Sequence, residues 1–462
     1  MDNNMSLIHH NLNTTELTGH VVLPGSPEYE EARRNYNGRF NKFPAAIVYC
    51  QSERDVVNAI RWVRRQRLPF RIRSGRHSYE AFSLVDGGLI IDVSGLSRLQ
   101  ILGSAGTPGA FEPSVTTIPV VIGPGVSVMS LYEALWNQGL TIPSGTCGSV
   151  GISGITLGGG YGLLSRLWGL SCDNLLELEM VTAQGNLIRA NGKQHSDLFW
   201  ACRGGGDGSY GVITSLTYQA HPIGTVSRYR LAWNFDDLKK VLQFWQQWAP
   251  FVDPRLTSLL LFPSQGQGDL RSNGVFVGPE QELRQIVAPF LEATAPKTAE
   301  FHTISWIEAA RLFAGQAIRQ EQFKHSSAVV YTPLQDTAID IAIRNLKQPA
   351  GSANLMALDA YGGVLGQISP AATAFPHRRA LFTIQYQSYW HQDQEAAANI
   401  RWIEAFRRSM LPYTRGAYRN YCDVLIQDWP TAYFGDHLAR LRQIKLRYDP
   451  ENFFRFEQSI PR

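Results

Sequence analysis

The sequence predicts an α+β protein built in two parts. Its 462 residues are 44% apolar and 18% charged, a composition typical of a globular protein with a sizeable core. In the first half, short predicted strands and helices alternate and glycine is frequent. From about Arg228 glycine becomes rarer and the predicted segments lengthen. The second half therefore predicts a large antiparallel sheet covered by helices.

The elements of the first half follow one another closely. Ser52 and Asp55 form a capping box that predicts a helix through "VVNAIRWVRRQ". Ser127 is the predicted cap of a second helix, and Gly139 is its predicted end. The other elements are strands in "FRIRSG", "GGLIIDVSGL" and "VIGPG", a hairpin in "LLELEMVTAQGNLIRA", and a helix, a glycine loop and a strand in "SDLFWACRGGGDGSYGVITSLTYQAHP".

Amphipathic helices and strands dominate the second half. Leu238, Leu242 and Trp245 lie on the apolar face of a helix predicted in "DDLKKVLQFWQQWAPF", and "QEAAANIRWIEAFRRSM" predicts another. After Pro412 the chain becomes rich in tyrosine and asparagine. The predicted strands are "SLLLF", "GVFVG", "AVVYTPL", "ANLMALDAYGG" and "ALFTIQYQSYW".

Charge, hydropathy and cysteine usage exclude several classes of protein. The net charge of +4 is close to balance and predicts neither a nucleic acid nor a membrane surface as partner. No apolar run approaches the about 18 residues that span a bilayer, and the N-terminus lacks the pattern of a signal peptide. The five cysteines form no CxxC pair, and HExxH is absent. We therefore expect a cytoplasmic, reducing location, no disulfide framework and no metal site.

Two glycine-rich loops are candidates for ligand binding. Gly206, Gly208 and Gly211 satisfy G-x-G-x-x-G, but the predicted order of helix, loop and strand opposes a dinucleotide fingerprint. Eight of the eighteen residues from Gly145 to Gly162 are glycine. This composition suits bare backbone that contacts a long anionic cofactor, and equally a crowded strand bend. Taken alone, neither His77 nor Cys147 indicates chemistry, because loop histidines and small buried cysteines are common.

Four motifs, taken together, indicate a family: "RIRSGRHSYE", "GTCGSVGISGITLGGGYGLLSRLWGLSCDNLLE", "DLFWACRGGGDGSYGVIT" and "YRNYCD". They resemble the berberine bridge enzyme-like flavoprotein oxidases of the vanillyl-alcohol oxidase/PCMH superfamily, and the likeness covers nearly the whole chain. The resemblance implies a PCMH-type two-part FAD-binding domain over 1–225, with its core at about 40–222. It also implies a substrate-binding α+β domain over 226–410 and a segment, 411–462, that returns to the first domain.

In the family that the chain resembles, FAD is attached covalently at two points. The resemblance implies an 8α-histidyl bond through His77 and a 6-S-cysteinyl bond through Cys147. Arg76 departs from the pattern, since many relatives have glycine there. The other residues that the resemblance places around FAD are Arg73, Ser74, Gly75, Arg76, Ser78, Gly145, Thr146, Val150, Gly151, Gly154, Gly160, Val212, Asn420 and Tyr421.

The resemblance also implies the reaction: hydride passes from an alcohol or amine-type carbon to N5 of the flavin. Tyr421 is the candidate base, and a site that uses it must lower its ordinary pKa of about 10, although the sequence identifies no cation that would do so. Tyr361 is a second candidate. If alternate side chains of "ALFTIQYQSYW" face the substrate, Tyr386 and Trp390 contact it. Val150 occupies the position of the family's oxygen gate and predicts O2 as acceptor and H2O2 as product.

Three functions remain open at this point. The first is an oxidase that acts on an alcohol group of a carbohydrate or a secondary metabolite. The second is an oxidative cyclase or desaturase of a natural product. The third is a flavin- or ligand-binding protein that retains the fold without catalysis. The sequence predicts neither the particular substrate nor the oligomeric state.

Overall fold

Three β-sheets form the framework of the described part of the chain. The computed structural model describes residues 12–103, 117–206, 208–314, 320–351 and 353–462. Two sheets come from the first half of the chain and the third from the second half, as the change of texture near Arg228 predicts. The mixture of helix and sheet confirms the α+β class.

The first sheet carries the His77 loop. Its strand order is β1-β2-β4-β3, in which β2, β4 and β3 run parallel and β1 is antiparallel to β2. Helix α2 connects β2 to β3 and begins with the predicted capping box at Ser52 and Asp55. The bounds are α1 (Tyr29–Ala32), α2 (Glu53–Gln66), β1 (His20–Val22), β2 (Ala46–Tyr49), β3 (Phe70–Arg73) and β4 (Leu89–Asp92).

The second sheet is antiparallel and carries the Cys147 loop. Its order is β5-β6-β10-β8-β9, and β7 pairs with the far end of β10. The predicted hairpin joins β8 to β9, and the glycine loop before β10 leads into a strand, which opposes the dinucleotide fingerprint. The bounds are β5 (Leu99–Ile101), β6 (Ile118–Ile122), β7 (Leu140–Thr141), β8 (Leu175–Val181), β9 (Leu187–Asn191), β10 (Val212–Pro222), α3 (Val128–Trp136), α4 (Ile152–Leu157), α5 (Ser165–Trp168) and α6 (Ser196–Ala201).

The third sheet is antiparallel with the order β14-β11-β13-β12-β16-β17-β15. Helices α7, α8, α10 and α12 pack against one face of it and form an apolar core. Strands β11 and β14 are absent from the sequence prediction. The bounds are β11 (Thr225–Trp233), α7 (Leu238–Trp248), β12 (Leu256–Pro263), β13 (Leu270–Phe276), α8 (Glu280–Thr294), β14 (Thr298–Ser305), α9 (Trp306–Ala314), β15 (Gln322–Val330), α10 (Asp336–Leu346), β16 (Ala353–Ala360), α11 (Gly363–Gln367), β17 (Phe382–Trp390) and α12 (Ala396–Met410).

The two helices of the C-terminal segment pack into the apolar core of the second sheet. Helices α13 (Trp429–Phe434) and α14 (Leu438–Tyr448) bury Phe434 and Leu441 in the same core as Leu198 of α6. The buried Lys445 donates to the carbonyl oxygen of Ser209 at 2.6 Å and pairs with Asp449 at 2.7 Å. This lysine therefore ties the glycine loop before β10 to the end of the chain.

Two kinds of feature are missing from the described residues. None of their helices has both the length and the apolar character needed to cross a bilayer. The same residues contain no group of three or more histidine, cysteine, aspartate or glutamate side chains arranged to hold a metal ion.

Candidate active site

A cavity of 590 Å³ lies where the three sheets meet. Its wall includes the His77 loop (residues 74–79), the Cys147 loop (residues 144–151), the exposed face of the third sheet and the turn that holds Tyr421. The volume lies within the range of about 300–1,000 Å³ that is usual for cofactor and small-molecule sites.

The His77 and Cys147 loops contact each other backbone to backbone. A Cβ atom on Gly75 would lie 2.2 Å from the amide nitrogen of Gly151, so only glycine allows this approach. Ser74 and Ser153 both donate to the carbonyl oxygen of Pro124, at 2.7 and 3.1 Å. Bare backbone and a shared anchor thus hold the two loops side by side.

Arg76 lies in the left-handed region with φ of 60°, which explains why glycine suits this position. Its guanidinium donates to the hydroxyl of Tyr49 at 2.9 Å and to the carbonyl oxygen of Glu31 at 3.1 Å. Arg73 is different from a phosphate-binding arginine. Its side chain is fully buried and donates to Asp92 at 2.6 Å, so only its backbone is available at the cavity.

His77 is held on one edge and on one face. Its Nε2 atom lies 2.6 Å from Oγ of Ser149, and the ring of Tyr36 stacks on the imidazole with centroids 4.4 Å apart. Burial lowers the pKa of His77 to about 4. The imidazole is therefore neutral at neutral pH and has a lone pair on one of its two nitrogens.

Cys147 is a free, partly buried thiol on the wall of the same cavity. Burial raises its pKa, while hydrogen bonds from the side chain and backbone of Ser149 oppose this shift. The Sγ atom lies 4.0 Å from Oγ of Ser149. One serine hydroxyl therefore contacts both predicted attachment residues.

The hydroxyl of Tyr421 donates to Oδ2 of Asp359 at 3.1 Å. Burial raises the pKa of Asp359 to about 7, and the bond from Tyr421 acts in the opposite direction. Burial, followed by the negative charge of Asp359, raises the pKa of Tyr421 well above its usual value. The expectation that a cation lowers the pKa of this tyrosine is wrong, because its partner is a carboxyl group that can receive its proton.

A row of hydrogen-bonded side chains lines the third sheet at the cavity. Tyr389 donates to Gln387 at 3.2 Å, and Gln387 donates to Gln385 at 2.8 Å. Gln385 in turn donates to Nδ1 of His325 at 3.1 Å. Nε2 of His325 is buried and has no hydrogen-bond partner among the described residues. Burial, with the charge of Lys324 as a smaller cause, holds the pKa of His325 well below its usual range, so this imidazole is neutral.

Most of the predicted site residues meet at this cavity. Asn420 is seated by contact with Gly158, where a Cβ would lie 2.0 Å from its Oδ1, and it donates to the carbonyl oxygen of Ile155 at 2.9 Å. The predicted residues on the wall are Arg73, Ser74, Gly75, Arg76, His77, Ser78, Gly145, Thr146, Cys147, Val150, Gly151, Gly154, Asn420 and Tyr421.

Gly160 and Val212 do not line the cavity. The amide of Gly160 donates to the hydroxyl of Tyr418 at 3.0 Å, and its φ of 86° and close contact with Ser171 account for the glycine. Val212 is buried in the apolar core beside the first sheet. Its neighbours Gly211 and Ile213 face the cavity instead, since side chains alternate along β10.

Tyr386 and Trp390 also lie away from the cavity wall. Tyr386 is buried among the helices, where its ring contacts Phe406 at a centroid distance of 4.8 Å. The prediction that Tyr386 and Trp390 face the substrate is therefore wrong. The opposite face of β17 lines the cavity, with Gln385, Gln387 and Tyr389. The apolar set of Phe382, Ile384 and Tyr386 could have identified the helix-facing side.

Tyr361 is fully buried and is not part of the wall. Its ring stacks on Tyr161 at 5.1 Å, and its hydroxyl has no hydrogen-bond partner within the described ranges. A direct contact with substrate, which the sequence interpretation proposed, does not fit this placement. Tyr161 lines the cavity and lies between Tyr361 and the open space of the cavity.

Tyr36, Ser149, His325 and Asp359 were missed by the sequence interpretation. Asp359 and His325 carried one usable signal, since each is a polar residue within a strand-like apolar run. Tyr36 and Ser149 carried none, because their partner His77 is distant along the chain.

The cavity residues fit FAD. Gly154 is exposed on the cavity wall, and no atom lies within 4 Å of the position of its missing Cβ, so the backbone is open to a large ligand. A neutral imidazole and a thiol face the same space. The stretches around Gly75, Gly151 and Gly154 would hold the cofactor through bare backbone.

Comparison with known proteins identifies the class that this fold and site define. The chain matches the FAD binding domain family over residues 44–191 and the berberine and berberine like family over residues 417–461. It is 41% identical to the uncharacterized FAD-linked oxidoreductase YgaK of Bacillus subtilis (strain 168), over 97% of this chain and 98% of that protein. The protein is an FAD-linked oxidoreductase.

Solved structures narrow the assignment. BBE-like 1 of Physcomitrella patens superposes with a TM-score of 0.88 at 30% identity, covering 99% of each chain. Phl p 4, a grass pollen allergen with glucose dehydrogenase activity, superposes with a TM-score of 0.84 at 25% identity, covering 96% of each chain. The chain belongs to the berberine bridge enzyme-like family.

Proposed function

We propose that this protein is an oxidase that uses FAD attached through His77 and Cys147 to oxidise an alcohol group of a carbohydrate or a secondary metabolite. The observation that carries the proposal is the hydrogen bond from Tyr421 to Asp359, at a cavity that His77 and Cys147 also line. It provides a route for the proton that alcohol oxidation releases.

Bound FAD would accept a hydride from the alcohol carbon at N5 and pass the two electrons to O2, which becomes H2O2. The protein must remove the hydroxyl proton. The oxygen of Tyr421 accepts this proton from the substrate as Tyr421 gives its own proton to Asp359. With a pKa of about 7, Asp359 can hold that proton at neutral pH, which a carboxyl group of ordinary pKa holds poorly.

The tyrosine therefore acts as a relay and need not ionise beforehand. Its pKa is raised, so a standing tyrosinate is unfavourable in this site. A concerted transfer avoids that charge, because the proton leaves towards Asp359 while the substrate proton arrives. The carboxyl group at 3.1 Å thus takes the place of the cation that the sequence interpretation expected.

Val150 on the cavity wall supports O2 as the electron acceptor. A structural relative gives a parallel: Phl p 4 is described as having glucose dehydrogenase activity, whereas an isoleucine-to-valine variant of it is described as a glucose oxidase. A small valine side chain leaves room for O2 that an isoleucine fills.

The wall of the third sheet supports a neutral, hydroxylated substrate. The amides of Gln385 and Gln387 and the neutral imidazole of His325 supply donors and acceptors without a formal charge. The glucose activity described for Phl p 4 agrees with such a substrate.

We also propose a reducing, cytoplasmic location, which the five free cysteines support.

Covalent attachment is tested by mass spectrometry of tryptic peptides after acid precipitation. We expect the His77 and Cys147 peptides to carry flavin in the wild type, Cys147→Ala to keep a single bond, and His77→Ala with Cys147→Ala to release all flavin. Covalent flavin in the double variant would contradict the assignment.

Oxidase activity is tested by peroxide release with a panel of sugars and aromatic alcohols, and by anaerobic bleaching of the flavin. Peroxide formation with an alcohol supports the proposal. Bleaching only by a complex metabolite that is cyclised or desaturated would replace it with the second function. A flavin-free protein would favour a ligand-binding role.

A further inference from the structure

Ser149 lies between the two residues that are proposed to hold FAD. Its Oγ atom is 2.6 Å from Nε2 of His77 and 4.0 Å from Sγ of Cys147. Ser149 follows Cys147 by two positions but is 72 positions from His77, so the tertiary fold alone creates this three-residue cluster. A hydroxyl group both donates and accepts, and can therefore serve both partners.

The imidazole of His77 has little freedom to rotate. Ser149 holds its Nε2 edge, and the ring of Tyr36 covers one face with an interplanar angle of 28°. Tyr36 is itself anchored, since its hydroxyl donates to Glu321 at 3.1 Å. Nδ1 of His77 has no hydrogen-bond partner among the described residues, which leaves this nitrogen available for bond formation.

The protonation states agree with this geometry. His77 is neutral because burial lowers its pKa, so one ring nitrogen carries hydrogen and the other a lone pair. With the Nε2 hydrogen directed at Ser149, the lone pair is on Nδ1. For Cys147, the bonds from Ser149 favour the thiolate against the effect of burial. Each effect makes its residue a better nucleophile.

We propose that Ser149 is a positioning residue for both covalent attachments: its hydroxyl selects the His77 tautomer with a free Nδ1 and stabilises the thiolate of Cys147. This inference rests on the proposed attachment of FAD through these two residues. It adds a residue that acts through both of them.

The chemistry balances for each bond. At His77 a C–N bond forms to the 8α carbon as one methyl C–H and one imidazole N–H proton are lost. At Cys147 a C–S bond forms to C6 as one ring C–H and one S–H proton are lost. Each bond leaves two electrons and two protons on the cofactor, and O2 removes them as H2O2. Ser149 accepts a hydrogen bond from the Nε2–H of His77 while Nδ1 forms the C–N bond, and the proton that His77 loses is one of the two carried by the reduced cofactor.

The test measures the fraction of the His77 peptide and of the Cys147 peptide that carries flavin in the purified enzyme. It also measures how fast each fraction rises during aerobic incubation between pH 6 and 9. We expect Ser149→Ala to slow both attachments at least tenfold at pH 7, and Ser149→Thr to restore them. Attachment at Cys147 in Ser149→Ala should recover towards pH 9, because a higher pH forms the thiolate without help. Ser130→Ala, an exposed serine of α3, is the matched control and should behave as wild type.

The outcomes separate the two levels of inference. Absence of both adducts in the wild type would overturn the proposed attachment itself. Adducts in the wild type with equal rates in Ser149→Ala at every pH would overturn the role of Ser149 alone, as would a failure of Ser149→Thr to restore them. Total bound flavin and the melting temperature are measured first. If Ser149→Ala loses bound flavin, Ser149→Gly is judged by the same criteria.

Discussion

Tyr421 and Asp359 are 62 positions apart in the sequence and share one hydrogen bond. Each group explains the unusual state of the other. A half-buried carboxyl group with a pKa of about 7 binds a proton readily, and a half-buried tyrosine with a raised pKa gives up its proton most easily to such a partner. The function of the pair depends on both side chains together.

Replacing Tyr421 by phenylalanine tests the proton relay. We expect Tyr421→Phe to slow anaerobic reduction of the flavin by about 10²- to 10⁴-fold while substrate affinity changes little, because only proton removal is lost. Stopped-flow absorbance at saturating substrate measures this rate. Reduction at the wild-type rate would remove Tyr421 from the mechanism.

Asp359 predicts the pH dependence of the same step. The carboxylate form accepts the proton, so the wild-type rate should rise with pH through about 7 as Asp359 ionises. Asp359→Asn keeps the hydrogen bond to Tyr421 but cannot accept a proton, and the rise should disappear. If the rate of Asp359→Asn still rises with pH through about 7, the ionisation belongs to another group.

At the scale of elements, the two faces of β17 have different roles. Directly opposite residues of antiparallel strands share a face, so Gln387 on β17 lies beside His325 on β15. Even-numbered residues such as Ile384 and Tyr386 face the helices. Period-two alternation was visible in the sequence, and the more apolar of the two sets, with Phe382 and Ile384, could have identified the face that packs against the helices.

Two variants separate these faces. Gln387→Ala removes two hydrogen bonds at the cavity wall and should raise KM by about 2- to 10-fold. Tyr386→Phe removes a buried hydroxyl that has no partner among the described residues, so KM and stability should stay close to wild type. Steady-state kinetics and thermal melting measure both. An equal rise of KM in Tyr386→Phe would contradict the assignment of faces.

For the whole molecule, a buried ionic cluster connects three distant parts of the chain. Lys324 of β15 contacts Glu80, next to the His77 loop, and Asp423, which follows Tyr421, at 2.5 Å to the latter. Arg39 also pairs with Glu80 at 2.7 Å. The cluster therefore connects the third sheet to the end of the His77 loop and to the turn that holds Tyr421. We propose that it joins the substrate-binding unit, 226–410, to the FAD-binding unit, 1–225 with 411–462.

Breaking this cluster should destabilise the protein as a whole. Lys324→Met leaves two buried carboxyl groups without their shared cation, and we expect a loss of about 3–5 kcal/mol in the free energy of unfolding. Lys239→Met is the matched control: it removes exposed ion pairs with Asp336 and Asp340 and should leave the free energy of unfolding close to the wild-type value. Denaturant unfolding followed by tryptophan fluorescence measures both. Equal losses in the two variants would refute the role of burial.

The elements and the attachment loops were predictable from the sequence because their signals are local. The capping box at Ser52, the hairpin through Gly185 and the glycine-rich stretch from Gly145 each depend on residues a few positions apart. These short-range patterns, with the likeness to the berberine bridge enzyme-like family, determined the fold class and the positions of His77 and Cys147.

Only the tertiary structure decided which groups act on these residues. The partners of Tyr421 and His77 lie on other loops and strands, and folding brings them within hydrogen-bond distance. Burial then shifts the pKa values of Asp359 and His77, an effect that depends on everything packed around them. A single sequence contains neither long-range distances nor local solvation, and for this physical reason the partners of Asp359 and Ser149 became visible only in the folded chain.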